Sequence, residues 1–136
     1  MKTWEDYKAT HEDTMRYHDM VKSYNGTYFR DAAEVGDGAT VHYYSDSDAY
    51  TIIKRTAKTL TLRRCKAMLK PEFKPKWIPG GFVGHCTNQN EQEYDYEEDE
   101  NGRTVKAYWS ETKQGFYVEG CLYVTPGRRE YYDYNF

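Results

Sequence analysis

The densest set of chemically capable side chains lies in residues 80–92, GGFVGHCTNQNEQ. Three glycines are followed there by His85, Cys86 and a run of hydroxyl and amide side chains. A glycine-rich loop followed by hydrogen-bond donors can hold a phosphate through its backbone N–H groups. No Lys-Ser or Lys-Thr pair follows the glycines, so the segment is not a P-loop, and no predicted helix follows it as dinucleotide binding requires. A structured polar loop is the simpler interpretation.

His85 and Cys86 supply a base and a nucleophile, the two groups that covalent catalysis needs. Consecutive residues of an extended chain project to opposite sides, so these two side chains are badly placed to share a proton. A hydrolase centred on them is our weakest hypothesis. The carboxylates of residues 91–100 look like a solvated charge run, in which no side chain is set apart as an acid–base pair requires. We therefore expect no enzyme.

The cysteines and histidines show no metal-binding pattern. The three cysteines are far apart in the sequence, and no two histidines have the i, i+4 spacing of a helical metal site. The SDSD run at 45–48 lacks the glycine and the distal glutamate of a calcium loop. We expect no metal and no cofactor. An odd number of cysteines is also atypical of a secreted disulfide scaffold.

The composition predicts one folded domain over residues 1–136. Aliphatic residues are scarce, but the chain has 15 Tyr and 3 Trp at a net charge of −3. Each buried aromatic side chain removes roughly 150–250 Å² from water, so a tyrosine-rich core can replace an aliphatic one. We find no secretory signal and no apolar run of the ~18 residues that a membrane span needs. We expect a cytoplasmic protein without membrane contact.

Charge is distributed unevenly along the chain. Residues 54–76 contain nine Lys or Arg and one acid, whereas residues 91–100 contain seven acids and no base. These segments predict two surfaces of opposite sign, each able to attract a partner. The sequence leaves open which of them is the working face. The negative net charge is unfavourable for tight, general nucleic-acid binding.

Residues 1–34 predict a helical segment. Thr10 and Asp13 resemble a capping box, and a helical turn can begin earlier, at a Thr3 cap. Apolar side chains then recur with the helical period, at Tyr17, Met20, Val21 and Tyr24. The Asn-Gly pair at 25–26 predicts the end of the helix, because glycine accepts the left-handed conformation that follows many helices.

Residues 35–136 predict a body of short β-strands. Runs rich in Val, Ile, Thr and Tyr at 39–45, 49–55 and 59–65 are separated by connections of hairpin length. Within the third run, alternation places Leu60 and Leu62 on one face. The proline-rich stretch 70–81 is predicted to be a connector, which Phe73 and Trp77 pack down.

The second half of the body predicts a further hairpin, of 91–98 with 103–110, around a turn in which Asn101-Gly102 takes positive φ angles. A strand at 116–124 is broken near Gly120. The closing REYYDYN alternates, which predicts a last strand that closes a barrel, with either Tyr132 and Tyr134 or Tyr131 and Phe136 inward. A displayed aromatic patch is the alternative. The spacing favours a small antiparallel, SH3-like β-barrel with an N-terminal helix.

Binding is easier to support than catalysis. Aromatic rings stack on bases while basic side chains hold phosphates, so a nucleotide or nucleic acid is one candidate partner. The other is a protein, held by the same charge-patterned surface. The expected contact residues are Arg63, Arg64, His85, Asn88, Gln89, Arg128, Arg129, Tyr131 and Asp133. The oligomeric state stays open.

Three segments carry a family resemblance: VGDGATVHYYSDSDAYTIIKRTAKTLTLRRCKA (35–67), GGFVGHCTNQNEQEYDYEEDENGR (80–103) and GRREYYDYNF (127–136). Through them the chain resembles a family of small uncharacterised proteins from phages and mobile elements of gut bacteria. The resemblance implies a setting and transfers no catalytic residue. It implies a non-catalytic accessory protein in a bacterial host, which binds a host macromolecule such as a defence nuclease or effector. Sequestering a nucleotide signal is the alternative.

Overall fold

The computed structural model describes residues 3–9, 17–79 and 84–135. Its helical elements are α1 (Trp4–Ala9), α2 (Tyr17–Ser23), a π-helical turn (Tyr24–Tyr28), α3 (Phe29–Ala32) and a 3₁₀ turn (Gln89–Glu91). Its strands β1 to β10 span, in order, Gly38–His42, Ser47–Arg55, Thr59–Arg64, Lys66–Leu69, Trp77–Ile78, His85–Cys86, Tyr94–Glu97, Thr104–Ser110, Gly115–Val118 and Leu122–Pro126.

Six strands form a closed antiparallel barrel in the order β1-β10-β9-β8-β3-β2. Closure gives each of these strands two neighbours and so removes the exposed sheet edges that promote aggregation. Two small sheets, β4-β7 and β5-β6, lie outside the barrel. The predicted small antiparallel β-barrel with an N-terminal helix is confirmed, and the SH3-like subtype stays a prediction.

The core combines aliphatic and aromatic side chains. Leu60 and Leu62 are fully buried, as the alternation in β3 predicts. Tyr50 and Phe116 are also fully buried, so aromatic rings do supply the volume that the few aliphatic residues cannot. The ring of Phe29, on α3, meets Phe116 edge-on at 5.6 Å and so joins the helical segment to the barrel core.

The helical segment begins as predicted and ends later than predicted. The Asp6 N–H donates to the hydroxyl of Thr3 over 3.1 Å, which confirms the Thr3 cap. The predicted capping box at residues 10–13 lies outside the described residues. The predicted stop at Asn25-Gly26 is wrong, because the chain continues through the π-helical turn to Ala32. No helix in the described parts of the chain has the length and hydropathy to cross a membrane.

The predicted hairpin of 91–98 with 103–110 is also wrong. Strand β7 pairs with β4, in a register that sets Glu97 opposite Lys66, whereas β8 pairs with β3 and β9. The turn between β7 and β8 exists, with the Gly102 N–H donating to the Asp99 carbonyl over 2.9 Å, but Gly102 has no positive φ. Glycine is required there because a Cβ would lie 2.2 Å from the Arg64 carbonyl oxygen.

The predicted last strand is wrong as well, because β10 closes the barrel by pairing with β1. Gly127, with a φ of 85°, turns the chain away from β10. Residues 128–135, the closing segment, then cross the outside of the barrel and make one isolated bridge, between Tyr131 and Ser47. Tyr132 is exposed and not part of the core. Phe136 lies outside the described residues.

Candidate functional site

The closing segment is held by side-chain amides in place of a neighbouring strand. The Gln92 amide accepts from the Tyr132 N–H and donates to the Tyr132 carbonyl, each over 2.9 Å. The amide of Asn135 makes the same two-way contact with the backbone of Cys86, over 2.6 and 2.9 Å. Each amide satisfies one N–H and one C=O, as a paired strand would. The segment is therefore fixed against the β5-β6 sheet without being a strand.

Two of the predicted contact residues, Asn88 and Gln89, are part of this internal framework. The Asn88 side chain accepts from the Lys76 N–H over 2.7 Å and donates to the Lys74 carbonyl over 2.8 Å, so it fastens the proline-rich connector. The Gln89 side chain accepts from the Tyr134 N–H over 2.9 Å. The Asn88 amide is therefore engaged through both its oxygen and its nitrogen, and the Gln89 amide through its oxygen.

The other predicted residues of this region lie beside the same framework. His85 is exposed in β6, whereas Cys86 is buried, which fits their predicted opposite orientations. The Tyr131 hydroxyl donates to Asn90 over 3.4 Å, and the Asp133 carboxylate accepts from the N–H of Asn135 over 2.9 Å. Five predicted residues (His85, Asn88, Gln89, Tyr131 and Asp133) thus lie in β6, in the residues just after it and in the closing segment that is bonded to them.

Three of the four predicted arginines are bound to carboxylates. Arg64 makes a two-pronged pair with Glu130. Arg63 and Arg128 both bind Glu98, over 3.2 and 3.1 Å. The hydrogen bond from Thr51 to Glu98, followed by the contacts with the two arginines, lowers the pKa of Glu98 against the opposing effect of burial. These charges stabilise the fold and are not free for a partner.

Arg129 differs from the other three. Its backbone N–H donates to the Thr40 hydroxyl over 2.8 Å, while its side chain is exposed and makes no ion pair with any described residue.

The aromatic surface, which we define as Trp77 and Tyr132, is formed by β5 and the closing segment, next to β6. These side chains are 52% and 55% exposed. The half-buried ring of Tyr134 supports them: Trp77 meets it at 6.2 Å and Tyr132 at 5.0 Å, both edge-on. Phe73 is buried against Tyr134 at 5.9 Å from below, so the prediction that Phe73 packs the connector down is confirmed. The same prediction for Trp77 is wrong, because half of its surface faces solvent.

A groove of about 550 Å³ adjoins this surface. Among the described residues its lining includes three lysines and three glutamates, so no net charge attracts an anion there. Within the same parts of the chain, no group of three or more His, Cys, Asp or Glu side chains converges as a metal site would require.

The sequence analysis missed the aromatic surface. Its one local signal was a tryptophan between Pro75 and Pro79, in a stretch too irregular to bury both sides of its side chains. No protein-family model, curated protein or solved structure matches the chain.

Proposed function

We propose that this is a non-catalytic binding protein that docks onto another protein through the aromatic surface. The observation that carries the proposal is the exposure of Trp77 and Tyr132, whose rings both rest on the half-buried ring of Tyr134. Tryptophan and tyrosine dominate binding hot spots, because they remove a large area from water at a small cost in conformational entropy. Large contiguous apolar groups are otherwise uncommon on monomer surfaces.

A protein fits this surface better than a nucleic acid does. Among the residues that the structure describes, the adjoining groove is lined by three lysines and three glutamates, so it offers no net positive charge to a phosphate backbone. Arg63, Arg64 and Arg128, which could have held phosphates, are bound to Glu98 and Glu130.

The family resemblance supplies the setting for this proposal. We propose that the partner is a protein of a bacterial host and that a phage or mobile element encodes the chain. Under this proposal the chain works by occupying a surface of its target, with a component of a host defence as the intended target. No catalytic group is needed for such a role.

The test is capture from a bacterial lysate, with the tagged chain as bait. The Trp77→Ala/Tyr132→Ala variant removes the two aromatic anchors, and Tyr108→Ala is the matched control, because Tyr108 is 56% exposed on a different part of the barrel. A captured protein is identified, purified and titrated with the native chain, the double variant and the control variant. We expect the double variant to lose at least ~10-fold in affinity and the control to bind like the native chain.

Nuclease treatment and added salt separate the two partner classes. We expect capture to survive nuclease and to weaken little with salt, because an apolar contact releases few counterions. The proposal is overturned if capture depends on nucleic acid, or if both variants lose affinity equally.

A further inference from the structure

A second cavity lies on another part of the molecule, where the π-helical turn meets strands β1 and β10. Its volume is about 450 Å³. That is within the range of roughly 300–1,000 Å³ typical of small-molecule sites. The residues that matter for its chemistry are Tyr24, Asn25, His42, Thr125 and Arg129.

The described lining of this cavity is positively charged. It contains two arginines and no carboxylate. Arg128 is engaged by Glu98 and by the Thr51 hydroxyl, over 3.1 and 2.8 Å. Arg129 has an anchored backbone and a guanidinium without an ion pair among the described residues. One unneutralised cation thus faces the cavity.

His42 forms part of the wall and is held in one orientation. Its Nδ1 lies 2.9 Å from the Ser47 hydroxyl and its Nε2 lies 2.8 Å from the Thr125 hydroxyl. Burial, and then the nearby charge of Arg129, lower the pKa of the imidazole. His42 is therefore neutral at pH 7, and the positive charge of the wall belongs to the arginines.

Tyr24 gives the cavity an aromatic border. Its ring is stacked on Tyr28 at 5.3 Å and meets Trp4 edge-on at 5.4 Å, so its orientation is fixed from two sides. More than a third of the Tyr24 side chain still faces solvent. A fixed, partly open ring is suited to stacking with a planar group.

We propose that this cavity binds a small organic phosphate that carries a planar ring, which is the chemistry of a mononucleotide. Arg129 binds the phosphate, because a planar guanidinium matches two phosphate oxygens at once. Tyr24 contacts the ring. The site is separate from the aromatic surface, so it stands independently of the proposed protein partner.

The test is calorimetric titration of the full chain with AMP at low salt, with ribose 5-phosphate and adenosine as second probes. Arg129→Gln removes the free cation, and Lys54→Gln removes the same charge from an exposed position that does not line the cavity. We expect Arg129→Gln to weaken AMP binding by at least ~10-fold and Lys54→Gln to leave it unchanged. We expect ribose 5-phosphate to bind more weakly than AMP and adenosine to bind more weakly still.

A second readout locates the ligand. A bound anion near His42 favours the charged imidazole, so we expect the pKa of His42, followed by NMR, to rise when AMP is added. The groups that face this imidazole are Ser47, Thr125, Tyr123 and Arg129. The Trp77→Ala/Tyr132→Ala variant should bind AMP like the native chain, which separates this proposal from the previous one.

Four results overturn the proposal: no binding of AMP by the native chain, equal loss in the two charge variants, adenosine binding as tightly as AMP, or AMP binding that leaves His42 unchanged. Equal affinity for ribose 5-phosphate and AMP overturns the part that we assign to Tyr24.

Discussion

The guanidinium of Arg64 donates two parallel hydrogen bonds, of 2.9 and 2.6 Å, to the carboxylate of Glu130. This pair connects β3 to the closing segment. The same carboxylate accepts a third bond, from the Ala49 N–H over 2.8 Å. Only 23% and 13% of the two side chains are exposed, so water competes weakly for these groups. Charge-assisted pairs of this geometry are stronger than ordinary surface ion pairs.

Replacing Glu130 by Gln should lower the free energy of unfolding by about 2 kcal/mol, because the half-buried guanidinium loses its two-pronged partner and keeps only the longer contact with Asp48, at 3.6 Å. Urea unfolding measures the change. The control is Glu111→Gln, which breaks the pair with Lys58, whose two side chains are both 62% exposed. That change should alter the free energy of unfolding much less, because solvent screens an exposed ion pair. If the two substitutions lower the free energy of unfolding equally, the half-buried pair is no stronger than the exposed one, and the prediction is wrong.

The second prediction is that Gly26→Ala destabilises the fold. The sign of the change in the free energy of unfolding is the test. Helix propensity alone predicts that alanine stabilises a helical position by about 1 kcal/mol over glycine. The structure predicts the opposite, because a Cβ at Gly26 would lie 2.4 Å from the carbonyl oxygen of Gln114, a backbone atom that cannot rotate away. We expect a loss of about 1–3 kcal/mol in urea unfolding.

A suitable comparison is Gly120→Ala. Gly120 has a φ of 75° and open space around its Cα, so alanine there introduces backbone strain without a clash. That strain should cost about 1 kcal/mol. Stabilisation by Gly26→Ala would mean that the π-helical turn and the β8-β9 turn do not approach as described.

The glycines show which features of the fold the local sequence does not predict. The strands β1 to β3 are predictable from the sequence. Apolar and polar side chains alternate along them and short polar turns separate them, and both features are visible in the local sequence. Gly26 and Gly102 have the local signature of turn residues, yet each is fixed by a close approach to backbone from far along the chain. A distant contact leaves no mark on the neighbouring sequence, so the helix was predicted to end too early.

The pairing of the acidic strand β7 was unpredictable for a related reason. An adjacent hairpin across residues 99–102 was the shortest connection, but β8 already has β3 and β9 as barrel neighbours. Strand β7 therefore pairs with β4, where Glu97 meets Lys66. Which strand completes a closed barrel depends on the whole topology and not on turn chemistry.

The candidate site divides in the same way. Polar residues such as Asn88 and Gln89 stood out in the sequence because their side chains can bind a partner, but they serve the chain's own backbone. The sequence predicts that Trp77 packs the proline-rich connector down, but half of its surface is exposed. Its exposure depends on the placement of Tyr134, from the other end of the body, which no local pattern reveals.

The third prediction concerns pH. The pKa of Glu98 is held below its ordinary value of 4.5, first by the hydrogen bond from Thr51 and then by Arg63 and Arg128. A carboxyl group with a depressed pKa stabilises the folded state fully above its unfolded pKa and ceases to do so as the pH falls through its folded pKa. The native chain should therefore lose its advantage over Glu98→Gln as the pH is lowered from about 7 to about 3.

Urea unfolding of both chains across that range gives the difference directly. Half of the Glu98 side chain is exposed, so solvent screens the effect and the difference at neutral pH should be modest. Glu100→Gln, which removes a charge from the same loop, is the matched control at neutral pH. If the difference in the free energy of unfolding between the native chain and Glu98→Gln grows as the pH falls, the folded state does not depress the pKa of Glu98, and the prediction is wrong.

The last prediction uses the three thiols, which are all free. Cys65 and Cys86 are buried and Cys121 is exposed in the β9-β10 turn, so a thiol reagent should label one cysteine quickly and two slowly. Cys121→Ser should abolish the fast phase. Because Asn135 binds both backbone groups of Cys86, Asn135→Ala should release the closing segment locally and speed the labelling of Cys86 by about tenfold.

Cys65 is the internal control for this experiment. Its side chain is buried, and its sulphur lies 3.1 Å from the hydroxyl of Thr51 on strand β2, a residue that the closing segment contacts through Arg128 and not through Asn135. If Asn135→Ala opens only the closing segment, Cys65 keeps its native labelling rate while Cys86 reacts faster. Equal acceleration of both thiols would mean that the closing segment and the barrel unfold together, and the amide contacts would then be part of one cooperative unit.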